Sequence, residues 1–196
     1  MIHTKTFEAI PVNRREIFRY AGCPSPGEAE IAVLNDCLTE LEGKLSLRVC
    51  WREFPLTGPA LPFTNAVSAD MAKYLQGCCA VVAFGATIGL EIDRLIVRYG
   101  RLSPVKALFY QAIGAEQIES LCDAFCDALA EQYSPAQLRP RYSPGYGDLP
   151  LTVQKDLFAV LDCPRKIGLT LNDSMLMSPS KSVTAIVGVK QEIRDK

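Results

Sequence analysis

The chain of 196 residues holds a single histidine, His3, and it lies in the first few residues, where chains usually fray. Ser-His-Asp and Cys-His catalysis, histidine-rich metal sites and most proton shuttles at neutral pH would all have to run through that one ring. A self-sufficient hydrolase is therefore not expected. An excess of charge of one sign is missing too: 21 Lys and Arg stand against 22 Asp and Glu, interspersed, for a formal net charge of -1. Such a balance gives no long-range field to gather nucleic acid or an anionic membrane. Long apolar runs are also absent, none approaching the ~20 residues a membrane helix needs. The start, Met1-Ile2-His3-Thr4-Lys5-Thr6-Phe7-Glu8, has no apolar signal core. These absences predict a cytoplasmic protein, with neither nucleic acid nor membrane expected as partner. No internal repeat or low-complexity segment stands out.

What is present is ordinary for a globular protein: 48% hydrophobic and 22% charged residues, enough for one sizeable core. Eight cysteines in a reducing compartment read as thiols rather than a disulfide framework. Cys122 and Cys126 lie four apart on a predicted helix, hence on one face, but Leu121, Phe125 and Leu129 share that surface. Buried packing thiols are the reading, and no metal is expected. Cys163 as a catalytic nucleophile lacks an evident activating base.

Along the chain, Asn13 with Glu16 three residues on predicts a helix start, and Gly22 its stop. Ser25-Pro26 repeats the device with proline at the first helical position, leading into an amphipathic helix from Glu28 to Leu41 that Gly43 ends. Leu45 to Arg52 alternates as a half-buried strand. Ser68 caps a short helix, and Cys78 to Phe84 is a continuous apolar run that suits a fully buried strand. Gly85-Ala86-Thr87-Ile88-Gly89 reads as a turn into a helix from Leu90 to Tyr99, with Thr87 as its cap. The glycine spacing fits neither the dinucleotide nor the P-loop pattern. Ser103-Pro104 begins another helix, interrupted at Gly114, and Glu116 to Tyr133 carries the longest helical stripe. Its acids Glu119, Asp123, Asp127 and Glu131 read as a solvated face. Thr152 caps a helix from Val153 to Leu161. Ile167, Leu169 and Leu171 make a brief strand, and two further strands, 173–177 and 182–189, form a hairpin around Pro179-Ser180-Lys181. The whole predicts one α+β domain over 1–190 with a central antiparallel sheet flanked by helices, and a frayed tail at 191–196.

The stretch from Arg139 to Pro150 holds prolines, glycines, tyrosines and two arginines and cannot be regular helix. It is a built loop, suited either to bracing a domain edge or to gripping an anionic aromatic ligand. An arginine takes a carboxylate bidentately, and a ring packs against a ring.

Arg141-x-x-x-Gly145-Tyr146, then Pro150, one helix, and Ser174-x-x-Met177-x-Pro179-x-x-Ser182-Val183 together resemble the C-terminal activation domain of cobalamin-dependent methionine synthase. The Leu121–Asp127 helix segment is similar to that domain's small-acidic-Ala-Phe helix, and the likeness is strongest over 121–187. Upstream, Arg19-Tyr20-x-Gly22 and Ala86-Thr87-Ile88-Gly89-x-x-x-Asp93-Arg94 resemble stand-alone relatives. The resemblance implies a C-shaped α+β fold and S-adenosylmethionine in a shallow groove formed by Arg141, Tyr142, Ser143, Pro144, Gly145 and Tyr146. Arg141 would hold the ligand's carboxylate, Gly145 would let the backbone come close, and Tyr146 would line the groove. It implies reductive remethylation of cobalamin borne by a partner methyltransferase or corrinoid protein, with a flavodoxin-type reductant. The cobalamin signature Asp-x-His-x-x-Gly is absent from this chain. The family has Cys-Pro where Leu149-Pro150 stands here, and a later ligand-touching tyrosine pair, whereas no tyrosine follows Tyr146. The alternative is a docking module for a corrinoid protein that no longer binds S-adenosylmethionine.

Overall fold

In the computed structural model, which describes residues 1–190, the chain runs β1 (His3–Phe7), α1 (Arg14–Tyr20), α2 (Glu28–Leu41), β2 (Leu47–Pro55), α3 (Ala69–Tyr74), β3 (Cys78–Thr87) and α4 (Glu91–Leu102). It continues with α5 (Pro104–Tyr133), β4 (Gln137–Leu138), α6 (Val153–Leu161), α7 (Cys163–Ile167), β5 (Thr170–Leu171), β6 (Met177–Ser178) and β7 (Ser182–Lys190). The tail expected to fray, 191–196, lies outside the described residues.

Five strands form one antiparallel sheet in the order β1-β2-β3-β7-β4, so the apolar run of β3 lies at its centre. Successive side chains of a strand point to opposite faces. Val82, Phe84 and Ala86 accordingly enter one core with Ile113, Leu121 and Phe125 of α5, while Val81 and Ala83 enter another with Val153, Leu157 and Leu161 of α6. Helices cover both faces, which is why this strand reads as a continuous apolar run although its neighbours are antiparallel. Phe125 packs against Phe84 at 4.9 Å and Trp51 at 5.3 Å between ring centroids, seating α5 on the sheet. The architecture is the α+β class with helices on an antiparallel sheet that the sequence predicts. Among the described residues no helix is long and apolar enough to cross a membrane.

Several local expectations are overturned. His3 does not fray: it pairs with Trp51 in the β1–β2 ladder and stacks on that indole at 5.4 Å. The second helix is capped by Gly27, with the Glu30 carboxylate accepting from the Gly27 N–H at 2.9 Å, so Ser25 and Pro26 lie outside it. Gly85 to Thr87 belong to β3 rather than to a turn, and the N-cap of α4 is Leu90, so Thr87 is not its cap but accepts from the Gly89 N–H at 3.2 Å. The same Thr87 hydroxyl, buried, accepts from the Ser182 hydroxyl at 2.8 Å and ties β3 to β7. Gly114 does not interrupt a helix. A Cβ there would stand 2.9 Å from Ile92 Cγ2 and from Lys181 carbons, so the glycine marks a close approach within the continuous helix α5. Thr152 precedes α6 without a side-chain cap, and Ile167 ends α7 instead of joining a strand. The predicted hairpin does not form: β6 pairs with β5 in a small second sheet, and β7 pairs with β3 and β4.

Candidate functional site

The loop after β4 is held rigidly at three places. Tyr142 and Ile186 exchange two backbone hydrogen bonds of 2.9 Å, laying the loop along the edge of β7. The Tyr74 hydroxyl, from α3, donates to Pro140 O at 2.8 Å and accepts from Gly188 N at 2.8 Å, and its ring packs 5.3 Å from that of Tyr142. Burial pushes the Tyr74 phenol up to about 12, so it stays a neutral donor. At the far end, the Asp148 carboxylate accepts from the Ser68 hydroxyl and from the N–H groups of Ala69 at 2.7 Å and Asp70 at 3.2 Å. The Ser68 hydroxyl, then burial and the Ala69 and Asp70 N–H groups, act on this carboxyl, with a net shift below its ordinary range. Anions at a helix start are favoured by its unsatisfied N–H groups, so the loop's end and the start of α3 fix each other. Gly147, at φ +54°, cannot carry a side chain here, because a Cβ would lie 2.6 Å from the Tyr142 hydroxyl and closer still to the Asp70 carboxylate.

Between this loop, α5, β7 and the start of α6 lies a groove of about 520 Å³. Arg141, Tyr142, Ser143, Pro144 and Tyr146 line one side, and Tyr146 is 70% exposed. Gly145 is not on the wall: its N–H donates to Leu149 O at 2.9 Å, and a Cβ would meet Leu151 at 3.2 Å. At φ +90° its part is to turn the chain. Ser182, Val183 and Thr184 of β7, Met177 of β6, Gln154 of α6 and Glu119 of α5 complete the lining.

Arg141 is already engaged. Its Nη1 donates to Asp123 Oδ1 at 2.6 Å and its Nη2 to Glu119 Oε2 at 2.9 Å. Glu119 and Asp123 are four apart, one helical turn, so both reach the same guanidinium. The i and i+4 acids read as a solvated face thus include two that hold the loop's cation. A guanidinium has more N–H donors than these two contacts use, so it can still take a carboxylate. Gln154 and Thr184 escaped the sequence reading because one lies in an amphipathic helix and the other in an apolar strand. Only Met177, Ser182 and Val183 carried a signal, through the motif that contains them.

Of the thiols, Cys122 and Cys126 of α5 lie close enough to Arg141 to feel its charge, and neither lines the groove. Cys163 is fully buried with its Sγ 3.9 Å from that of Cys50, and its thiol is pushed up by that contact and by burial, the reverse of an activated nucleophile. Cys122 is buried in the core and likewise shifted upward by burial. A second cleft of about 430 Å³, between 8–12 and the end of α2, has a mainly apolar lining and no cation.

A family model described as the activation domain of vitamin B12 dependent methionine synthase matches residues 137–195, a span that contains the loop, α6 and β7. A solved crystal structure of the MetH reactivation domain bound to AdoHcy is similar in fold, with a TM-score of 0.68 at 15% sequence identity. The match covers 100% of this chain and 80% of that one. No curated protein matches in sequence. The chain therefore resembles this activation domain in the motif-bearing segment and has its α+β fold.

Proposed function

We propose that the groove binds S-adenosylmethionine and that the chain serves as an activation module, supporting reductive remethylation of cobalamin on a separate methionine synthase or other corrinoid methyltransferase in the cytoplasm. The observation that carries this reading is that the segment matching the family model builds a rigid, ligand-sized groove around Arg141. Its volume lies within the roughly 300–1,000 Å³ of small-molecule sites. Its charges suit a zwitterion: Arg141 offers free N–H donors to a carboxylate, while Glu119 beside it faces the ligand's cationic groups. Tyr146, exposed at the rim, and Pro144 offer flat apolar surface to an aromatic ring.

When bound, S-adenosylmethionine supplies the methyl group. This chain's residues would bind and orient it, a task of positioning rather than proton transfer. The partner brings the cobalamin, and a flavodoxin-type donor the electron. Calorimetric titration of the purified protein with S-adenosylmethionine tests the reading. We expect saturable heat for the wild type and a loss of about 1.5–3 kcal/mol for Arg141→Ala, the range for hydrogen bonds to a charged group. No heat at millimolar ligand removes the ligand claim, and an unchanged affinity removes Arg141 from the site.

One observation favours a second reading, in which the fold is a docking module for a corrinoid protein without ligand: the Arg141 guanidinium is already matched by two carboxylates. A pull-down of a corrinoid protein that is indifferent to S-adenosylmethionine supports this alternative. Capture that requires the ligand counts against it.

A further inference from the structure

Among the described residues, two that line the groove each bury a side-chain atom without a hydrogen-bond partner, Gln154 Oε1 and Thr184 Oγ1. Gln154 is 7% exposed and Thr184 2%. Buried polar atoms almost always find a partner, and each one left alone costs about 1–3 kcal/mol, so two orphans in one groove call for an explanation. Neither has a structural duty that would offset this cost. Gln154 sits at the second position of α6, where its backbone N–H is already bonded to Leu151 O at 3.0 Å, and Thr184 sits in β7 opposite Gly85.

We infer that Gln154 and Thr184 read the edge of the adenine ring, and so set the base specificity of the groove. This rests on the adenosyl-ligand reading above and adds the part of the ligand that Arg141 does not touch. A carboxamide oxygen needs a donor, and the adenine exocyclic amine is one. A threonine hydroxyl can donate to the adjacent ring nitrogen. Glutamine is the side chain that pairs bidentately with the amine and ring nitrogen of adenine in nucleic-acid recognition, by the same complementarity. A ring that replaces the amine with a carbonyl presents an acceptor to an acceptor, and sites built to hydrogen-bond a substrate group reject analogues that lack it. Pro144 and Val183, also on the groove wall, supply apolar surface for the ring's faces.

The experiment compares S-adenosylhomocysteine with S-inosylhomocysteine, in which a carbonyl replaces the exocyclic amine and the adjacent N1 carries a proton, on the wild type, Gln154→Leu and Thr184→Val. Calorimetry reads affinity, and thermal unfolding reports folding. The wild type should prefer the adenosyl ligand by roughly tenfold or more, and Gln154→Leu should abolish the preference while staying folded. Thr184→Val, nearly isosteric, should reduce it, and keeps the test available if the leucine variant does not fold. A merely structural role would weaken both ligands equally and leave their ratio unchanged. A wild type that binds both ligands alike, or variants that retain the full preference, overturns the inference while leaving the adenosyl-binding reading intact. No binding of either ligand to the wild type overturns both.

Discussion

The Tyr74 hydroxyl bonds the loop at Pro140 and the strand at Gly188 together, and those partners stand 66 and 114 residues away in sequence. Replacing it with phenylalanine keeps the ring contact with Tyr142 but leaves the Gly188 N–H without its partner. Tyr74→Phe should therefore cost about 1–3 kcal/mol in urea unfolding, the penalty for an unsatisfied buried donor. No loss of stability would mean that the loop is not braced through this residue. Glu40 makes a comparable link on the other side of the sheet. Its carboxylate accepts from the Tyr99 and Tyr110 hydroxyls, each at 2.7 Å, and these bonds, Tyr99's first, hold its carboxyl below the ordinary value. A depressed native value means that Glu40 stabilises the fold above its unfolded value of about 4.3, and that this contribution is lost as the pH falls through the native value. Stability of Glu40→Gln should accordingly fall less steeply on acidification below about pH 4.3 than that of the wild type. Parallel pH curves would discount the pair of tyrosine bonds. Neither role was legible from the sequence, because a helical tyrosine or glutamate looks the same whether it faces water or a distant backbone atom.

Elements with local signals were legible, and those defined by distant partners were not. The helix Glu28–Leu41 matches its apolar spacing end to end, Ser68 accepts from Met71 N as a cap at 2.9 Å, and the central strand starts where its apolar run does. Gly114 misled because glycine usually marks a break, whereas here it admits Ile92 and Lys181 against α5. Alanine normally improves a helix by about 1 kcal/mol over glycine. At this position we expect the opposite sign: Gly114→Ala should destabilise by about 1–3 kcal/mol in chemical unfolding, as overpacking does. A stabilised variant would return Gly114 to the role of a poor helix former. The failed hairpin has a similar cause. The turn 179–181 looked like a link between neighbouring strands, but the Asp93 carboxylate accepts from the Ser180 N–H at 2.9 Å and Lys181 packs on Gly114. Held against α4 and α5, the turn hands β7 to β3 rather than to β6.

Across the molecule, the sheet's two faces divide the work. The α1, α2 and α5 side makes the larger core and holds Arg141 through Glu119 and Asp123, while α3, α6 and α7 make the smaller core on the other side, where α3 braces the loop and α6 brings Gln154 to the groove. Five of the six loop residues singled out in the sequence line that groove, because composition and motif both marked the segment. The rest of the lining was only partly legible, since it is assembled from strand and helix positions whose side chains meet only in the folded chain. On the proposed function, this groove, and no other surface, takes an adenosyl ligand by its carboxylate and its base. The direct measurement is a crystal structure of the protein grown with S-adenosylhomocysteine. Ligand density is expected between the 141–146 loop and β7, with the carboxylate on Arg141 and the purine amine on Gln154. An empty groove at saturating ligand, or density seated instead in the cleft beside Leu38 and Gly43, would contradict it.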